Sequence, residues 1–305
     1  MVGDFELENL VVHFPAEGGF VKAVDNVTVK FAKGTYTAIV GESGCGKSVL
    51  GQGILGILPE NIHKSGQLKY LEYNLLEQLP EGYHGRIIGI VPQNPSESMN
   101  PIRCIKKQML DVVGNDSRAM EHIEASLKSF GLDDTQRVLA SYPFELSGGM
   151  QQRVLCAMSM LKKPEWILSD EPTKGLDETT AEVVYENLQH IKEEYDCGMV
   201  IITHDIQLAK KLCDKIAVMY AGQILEFGSN VLDNPMHPYT KAFVASLPEN
   251  GFEPMEGKAP APGDDLQGCK FAPRCKFSAE KCFKECPKES FVGDTMVRCF
   301  LYAKM

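Results

Sequence analysis

Nothing in these 305 residues resembles a signal peptide, and no apolar run approaches the roughly 20 residues needed to cross a bilayer. The expectation is a soluble or peripheral protein. Positive charge is scarce: 31 Lys and Arg stand against 41 Asp and Glu, a net charge of −10, so the surface repels polyanions and nucleic acid is a poor partner. Ten cysteines would suit a disulfide framework in a secreted chain, but no export signal accompanies them and their placement is uneven. Cys104, Cys156 and Cys213 belong to a scattered set that reads as small apolar filler. The cysteines crowded between 269 and 299 need another explanation. The length allows about two domains.

What is present centres on Gly41-Glu42-Ser43-Gly44-Cys45-Gly46-Lys47-Ser48, a complete G-x-x-x-x-G-K-[ST] phosphate-binding loop. The apolar run 36–40 before it reads as a buried strand. The stretch 49–58 after it, beginning with Val49, reads as a helix ended by Pro59. Gly41, Gly44 and Gly46 allow a tight turn whose N–H groups, with that of Ser43, face an anion at the positive end of the helix. Lys47 then reaches the β- and γ-phosphates, and the Ser48 hydroxyl serves a Mg²⁺ ion. Cys45 lies beside backbone donors and Lys47, which favour a thiolate, so a maleimide is expected to block ATP binding there.

Two antiparallel strands are expected over 5–13 and 24–31, around a bend at 17–19. Phe14, ahead of Phe20, is the candidate to stack on adenine; the same ring could simply close the hairpin. Short strands at 66–73 and 86–91 lead to Pro92-Gln93-Asn94-Pro95, whose prolines keep Gln93 in a loop at a strand end, where its amide oxygen can ligate Mg²⁺ and orient water. Residues 101–142 read as helical, clearest over 120–130 with Gly131 as a C-cap. In 146–153, Ser147 stands at an N-cap position before Gly148, Gly149 and Gln151 and presents a second anion site. One nucleotide cannot easily use both sites, so the second is expected to serve the nucleotide of a partner molecule. The strand 166–170 ends in Asp170 and Glu171, placed by alternation on opposite sides, one for metal and one as general base. The strand 199–203 ends at His204, at the edge where open parallel sheets bind ligands, so His204 is expected to contact the γ-phosphate, with a purely structural histidine as the alternative.

The set 41–48, Gln93, 146–151, 167–171, Gly175-Leu176-Asp177 and His204 resembles the ATP-binding subunit of an ABC transporter, over about the first 230 residues. The fold so implied is α/β: a P-loop ABC-type nucleotide-binding domain (1–230) with an antiparallel β subdomain and an inserted helical subdomain at about 95–145. A C-terminal extension (231–305) follows. In that family two subunits face head to tail with each ATP between one phosphate loop and the partner's signature, which matches the two-site puzzle. The resemblance also implies that Gln93 senses the membrane subunits and that Asp177 communicates across the dimer. Lys174-Gly175 departs from the two small residues common before Leu-Asp, and Ser169 is less apolar than usual there.

The stretch 234–240 with 268–275 further resembles the ATPases of oligopeptide and dipeptide importers. In that subgroup four tail cysteines bind an iron–sulfur cluster, and the matching positions are Cys269, Cys275, Cys282 and Cys299, with Cys286 a possible substitute. From the residues alone, zinc or a [4Fe-4S] cluster suit equally. None of these cysteines lies in a phosphate-contacting motif, so the two sites are expected to be separate, joined by a Pro-, Gly- and acid-rich linker at 251–265.

The resemblance implies ATP and Mg²⁺ as cofactors and a second ATPase subunit, a paralogue or a copy, as partner. Two transmembrane permeases, an extracellular solute-binding protein acting indirectly, and a place at the cytoplasmic face of the membrane are implied too. Rival readings are a soluble ABC ATPase acting on ribosome or DNA, a phosphate-loop kinase, or an importer of a non-peptide solute such as nickel or a glycoside. The paired nucleotide domains or long coiled coil usual in the first rival are absent.

Overall fold

The computed structural model describes residues 3–303 apart from 18, 115–116, 262–263 and 265. Gly18 of the expected bend and part of the expected linker therefore lie outside the described residues.

The strands in chain order are β1 (Phe5–Ala16), β2 (Gly19–Phe31), β3 (Tyr36–Val40), β4 (His63–Tyr70), β5 (Tyr73–Asn74), β6 (Ile88–Val91), β7 (Trp166–Asp170), β8 (Gly198–Ile202), β9 (Lys215–Tyr220), β10 (Gln223–Gly228), β11 (Ser290–Val292) and β12 (Thr295–Val297). They form two sheets, one ordered β2-β1-β4-β5 and a larger one ordered β11-β12-β10-β9-β3-β8-β7-β6. The middle of the larger sheet, from β9 to β6, is parallel, whereas β10, β12 and β11 are antiparallel. Central parallel strands are covered on both faces, so β3 and β8 are buried at every position and are mainly apolar, with Thr37 the polar member of β3.

The two-residue period of a strand sorts the side chains between layers. Ile39, Leu168, Val200 and Ile202 face the antiparallel sheet and Leu50 and Ile54 of the phosphate-loop helix. Ile167, Met199 and Ile201 face the opposite way, onto Val154 and Ala157 of the helix Gly148–Met160 and Val184 and Leu188 of Glu178–Glu194. Gly198 is required beneath Trp166, since a Cβ there would lie 2.7 Å from the indole. That indole donates to the Gly3 carbonyl at 2.9 Å and packs on Phe5 with ring centroids 4.9 Å apart, which ties the two sheets together.

Several element bounds differ from the sequence expectation, for local reasons. The first hairpin is longer, because bulges along β1 between Leu7 and His13 absorb its irregular pattern, with Asn9 at φ 49°. The phosphate-loop helix spans Lys47–Ile54 and stops well before Pro59, because Gly56 turns left-handed at φ 67°. The proline loop contains a single helical turn, Pro95–Ser98, and Gln93 stays outside it. Beyond it lie the helices Ile105–Val113, Ala119–Ser129 and Thr135–Ala140. Gly131, at φ 71°, follows the cap residue Phe130, and Leu132 closes the end by donating to Leu127 at 3.0 Å.

The larger sheet continues across residue 230: β12 pairs with β10 through Glu226 and Val297. The C-terminal stretch is thus built onto the sheet, and Phe271 packs with Tyr220 and Tyr239 in a shared apolar cluster with Ala38 and Val40. Among the described residues no helix is long and apolar enough to cross a membrane.

Candidate nucleotide site

The phosphate loop leaves the C-terminal end of β3, Glu171 follows β7, and His204 follows β8 by two residues, so three neighbouring parallel strands deliver their loops to one edge. Between them opens a cavity of about 450 Å³, within the size range of small-molecule sites. Of the residues predicted from sequence, Ser43, Gly44, Gly46, Lys47, Ser48 and Val49 line it, joined by Phe14, Gln93, Asp170 and Glu171. The Lys47 ammonium folds onto its own loop, donating to the Gly41 carbonyl at 2.8 Å and the Glu42 carbonyl at 3.1 Å. Those bonds curl the loop around the charge that an anion would meet.

Asp170 accepts from the Ser48 hydroxyl, yet burial outweighs that bond and raises its carboxyl above the usual range. Its Oδ1 is buried with no hydrogen-bond partner among the described residues. An orphaned carboxylate oxygen beside a hydroxyl, with Gln93 in the same cavity, is a donor set that fits Mg²⁺. Glu171 is not placed by strand alternation as expected. β7 ends at Asp170, Glu171 takes a left-handed backbone at φ 49°, and its N–H donates to the Ile202 carbonyl at 2.7 Å. Its Oε2 accepts from the His204 backbone N–H at 3.3 Å and meets His204 Nδ1 at 2.5 Å. His204 itself does not line the cavity; it reaches the site through Glu171.

Ser147 caps its helix by accepting from the Met150 N–H at 3.3 Å, and it is exposed together with Gly148. Neither these two, nor Gly149, nor Gln151 reaches the cavity of their own chain. Gln151 is corrected in orientation: it is buried and donates to the Pro143 and Leu146 carbonyls at 2.9 and 3.1 Å, so it shapes the loop before the helix. Asp177 caps Glu178–Glu194 by accepting from the Thr180 N–H and hydroxyl at 3.0 and 2.8 Å, which hold its carboxyl below the usual range.

Cys45 overturns a sequence expectation. It is 6% exposed and burial raises its pKa, outweighing the nearby Lys47. A thiol so placed is a poor nucleophile, whereas Cys286 is exposed. Limited maleimide treatment read by peptide mass mapping is therefore expected to modify Cys286 well before Cys45, with ATP binding intact at that stage. Labelling of Cys45 first would show that the loop opens readily.

Two loop glycines give a contrasting test. A Cβ on Gly46, at φ 107°, would sit 1.9 Å from the Ala23 carbonyl oxygen, whereas a Cβ on Gly44, at φ 78°, meets nothing within 4 Å. Gly46→Ala is expected to cost about 3 kcal/mol or more through strain and overlap, and Gly44→Ala about 1–2 kcal/mol through backbone strain alone. Denaturant melts measure both, and equal costs would refute the crowding of Gly46 by Ala23.

The cavity also holds residues the sequence reading missed, among them Lys174 and, from the C-terminal stretch, Pro260, Ala261, Leu266 and Lys270. Lys174 could have been found as a cation two positions after the Glu171-Pro172 step. The others carry no recognisable motif. Arg274, also from that stretch and nearly buried, reaches the phosphate loop: its Nη1 lies 3.0 and 3.1 Å from the two Glu42 carboxylate oxygens and donates to the Tyr220 hydroxyl at 3.2 Å.

A second cavity, of about 260 Å³ and mainly apolar, is lined by Cys269, Cys275, Cys282 and Cys299 together. Cys286 is not among its walls; its sulfur lies 3.8 Å from the Gln223 amide nitrogen. Burial pushes the Cys269 thiol up to about 11 and raises Cys275 and Cys299 as well. Among the described residues no three His, Cys, Asp or Glu side chains are gathered closely enough to hold a metal ion, these four cysteines included. The two cavities have different walls, and the chain passes from one to the other between Cys269 and Lys270.

Comparison with known proteins agrees with this geometry. The family described as ABC transporter matches residues 24–174, and the oligopeptide/dipeptide transporter C-terminal region matches 227–282. The chain is 34% identical to the dipeptide transport ATP-binding protein DppD of Bacillus subtilis (strain 168), over 97% of this chain and 93% of that one. It is 30% identical to the oligopeptide transport ATP-binding protein AppD of the same organism, over 97% and 96%. Among solved structures, the dimeric post-hydrolysis ATP-binding cassette MJ0796 bound to ADP and Pi superposes with a TM-score of 0.62 at 25% identity, covering 74% of this chain and 98% of that one. The chain belongs to the ABC transporter ATP-binding family, whose members hydrolyse ATP.

Proposed function

We propose that this chain is the ATP-hydrolysing subunit that powers import of dipeptides or oligopeptides through separate membrane subunits, working peripherally at the cytoplasmic face of the membrane. The observation that carries the reading is the division of the two anion sites. Lys47, Ser48, Asp170 and Glu171 share one cavity, while the exposed helix start at Ser147 and Gly148 lies outside it. A second ATPase subunit facing head to tail, a paralogue or a copy, brings the missing half to each nucleotide. The peptide assignment rests on the C-terminal match and on the names of the relatives.

In this reading Phe14 stacks on adenine, the loop from Gly41 to Ser48 cradles the phosphates, and Lys47 turns from its own carbonyls to the β- and γ-phosphates. Ser48, Asp170 and Gln93 would hold Mg²⁺, which would supply positive charge to offset that of the phosphates. Glu171 takes the proton of the attacking water, and His204 fixes the carboxylate in place. Gly149 and Gln151 support the signature offered to the partner's γ-phosphate, and Asp177 sits where the two subunits meet. Asp177 keeps its helix cap while doing so.

We also propose that the four-thiol cavity takes a [4Fe-4S] cluster rather than a single zinc. What supports it is that the four sulfurs line one mainly apolar space, and that the tail resembles a subgroup in which four such cysteines bind an iron–sulfur cluster.

The test is ATPase activity of the chain assembled with its permease partners in liposomes, with and without a peptide-loaded binding protein. Stimulation by peptide, with uptake of labelled peptide, is expected. Stimulation only by nickel or a glycoside would reassign the solute, and turnover stimulated only by ribosomes or DNA would remove the transport reading altogether.

A further inference from the structure

We propose that the C-terminal stretch forms the nucleoside half of the ATP pocket, with Lys270 and Leu266 as residues that read the base or ribose. This rests on the ATPase reading above. The phosphate half is fully specified by the loop, Ser48 and Asp170. The same cavity continues past Phe14 and Val21 to Pro260, Ala261, Leu266 and Lys270. Phe14, Val21, Pro260, Ala261 and Leu266 are apolar walls that suit a purine face and a sugar edge, and the Asp264 carboxylate that joins them does not suit phosphate oxygens.

Lys270 is the unusual member. It is 5% exposed, and its ammonium is held 3.2 Å from Asp25 Oδ2 and donates to the Leu266 carbonyl at 3.2 Å. A buried lysine is costly unless paired and hydrogen-bonded, and one that also borders a ligand cavity has a third N–H donor to offer. Asp25 in turn donates its N–H to the Gly222 carbonyl at 2.9 Å, and the Gly222 N–H donates to the Cys45 carbonyl at 2.9 Å. The ammonium is therefore fixed relative to the phosphate loop through β2 and the turn between β9 and β10. Chain direction around it is equally specific: Cys269 faces the thiol cavity and Lys270 the nucleotide cavity, and five residues on Cys275 faces the thiols while Arg274 binds Glu42 of the loop. Cys269 and Lys270, adjacent in sequence, thus face different cavities.

The experiment measures equilibrium affinities of Mg-ATP and of Mg-tripolyphosphate, which has no nucleoside, for the full chain and for Lys270→Met and Leu266→Asp. Each variant is expected to bind ATP about tenfold more weakly, the loss of one hydrogen bond to a charged group or of apolar contact, with tripolyphosphate changed less than about twofold. Lys270→Arg should recover part of the ATP affinity. Equal weakening of both ligands would show that Lys270 only props the phosphate loop through Asp25, and unchanged ATP affinity in both variants would show that this wall does not touch the nucleoside; either overturns the proposal. Should Lys270→Met fail to fold, the half-buried Leu266→Asp carries the same comparison. A wild-type chain that binds neither ligand would instead strike at the ATPase reading itself.

Discussion

Glu171→Gln is expected to lower ATP turnover by about 10²- to 10⁴-fold while leaving Mg-ATP affinity within a few-fold of wild type, the range lost when a general base is removed without altering binding. Glutamine keeps the length of the side chain and an oxygen that can accept from the His204 backbone N–H, 3.3 Å from Oε2 in the native chain. The left-handed backbone at φ 49° and the bond from the Glu171 N–H to Ile202 do not involve the side chain, so the loop keeps its path. What disappears is the carboxylate that the proposed mechanism assigns as the base. In the proposed head-to-tail dimer, which ATP binding closes and hydrolysis releases, the variant is also expected to accumulate as a closed ATP-bound dimer when its partner is present. Steady-state ATPase of the assembled transporter, with size measurement in ATP, checks both halves. His204→Ala should reduce turnover less than Glu171→Gln, because it loosens the base without deleting it. Turnover of Glu171→Gln within a few-fold of wild type would take this carboxylate out of the chemistry.

The contrast between these two residues shows what a sequence can and cannot state. The phosphate loop was legible because its chemistry is local: eight consecutive residues supply the turn, the anion nest, the lysine and the hydroxyl. The ends of β7 and β8 were legible because a short apolar run that stops at charged residues marks a buried parallel strand reaching the edge of its sheet. The contribution of residues 260–274 was not. Lys270 meets Asp25 and Arg274 meets Glu42 across most of the chain, and no spacing rule joins residues that far apart. The same remoteness explains Cys45, whose neighbours in sequence favour a thiolate but whose burial, set by tertiary packing, raises the pKa instead. Gln151 is a third case: its place in the signature suggested a ligand contact, whereas folding aims its amide at Pro143 and Leu146.

Replacing any one of Cys269, Cys275, Cys282 or Cys299 by serine is expected to abolish bound iron, whereas Cys286→Ser should leave it unchanged. Anaerobically purified wild-type protein should be brown, with iron and acid-labile sulfide near about four each per chain. The discrimination between cysteines follows from the geometry, since the first four line one cavity and Cys286 lies against Gln223 outside it. The raised pKa values of Cys269, Cys275 and Cys299 mean that these thiols are protonated near neutral pH until a metal centre displaces the protons, so assembly should slow as pH falls. The surrounding stretch has little core of its own: among the described residues its strands, β11 and β12, are three residues each, and Phe277, Phe283 and Phe291 are exposed. Metal–thiolate links would supply the missing order, so the serine variants should be cut by protease in this stretch faster than wild type. Because Lys270, which follows Cys269 directly, lines the nucleotide cavity, ATP affinity in Cys269→Ser should fall several-fold, contrary to what the separation of motifs in the sequence suggested. A colourless anaerobic preparation with one zinc per chain would replace the cluster with a zinc site, and iron retained in Cys275→Ser but lost in Cys286→Ser would mean that the ligand set has been misassigned.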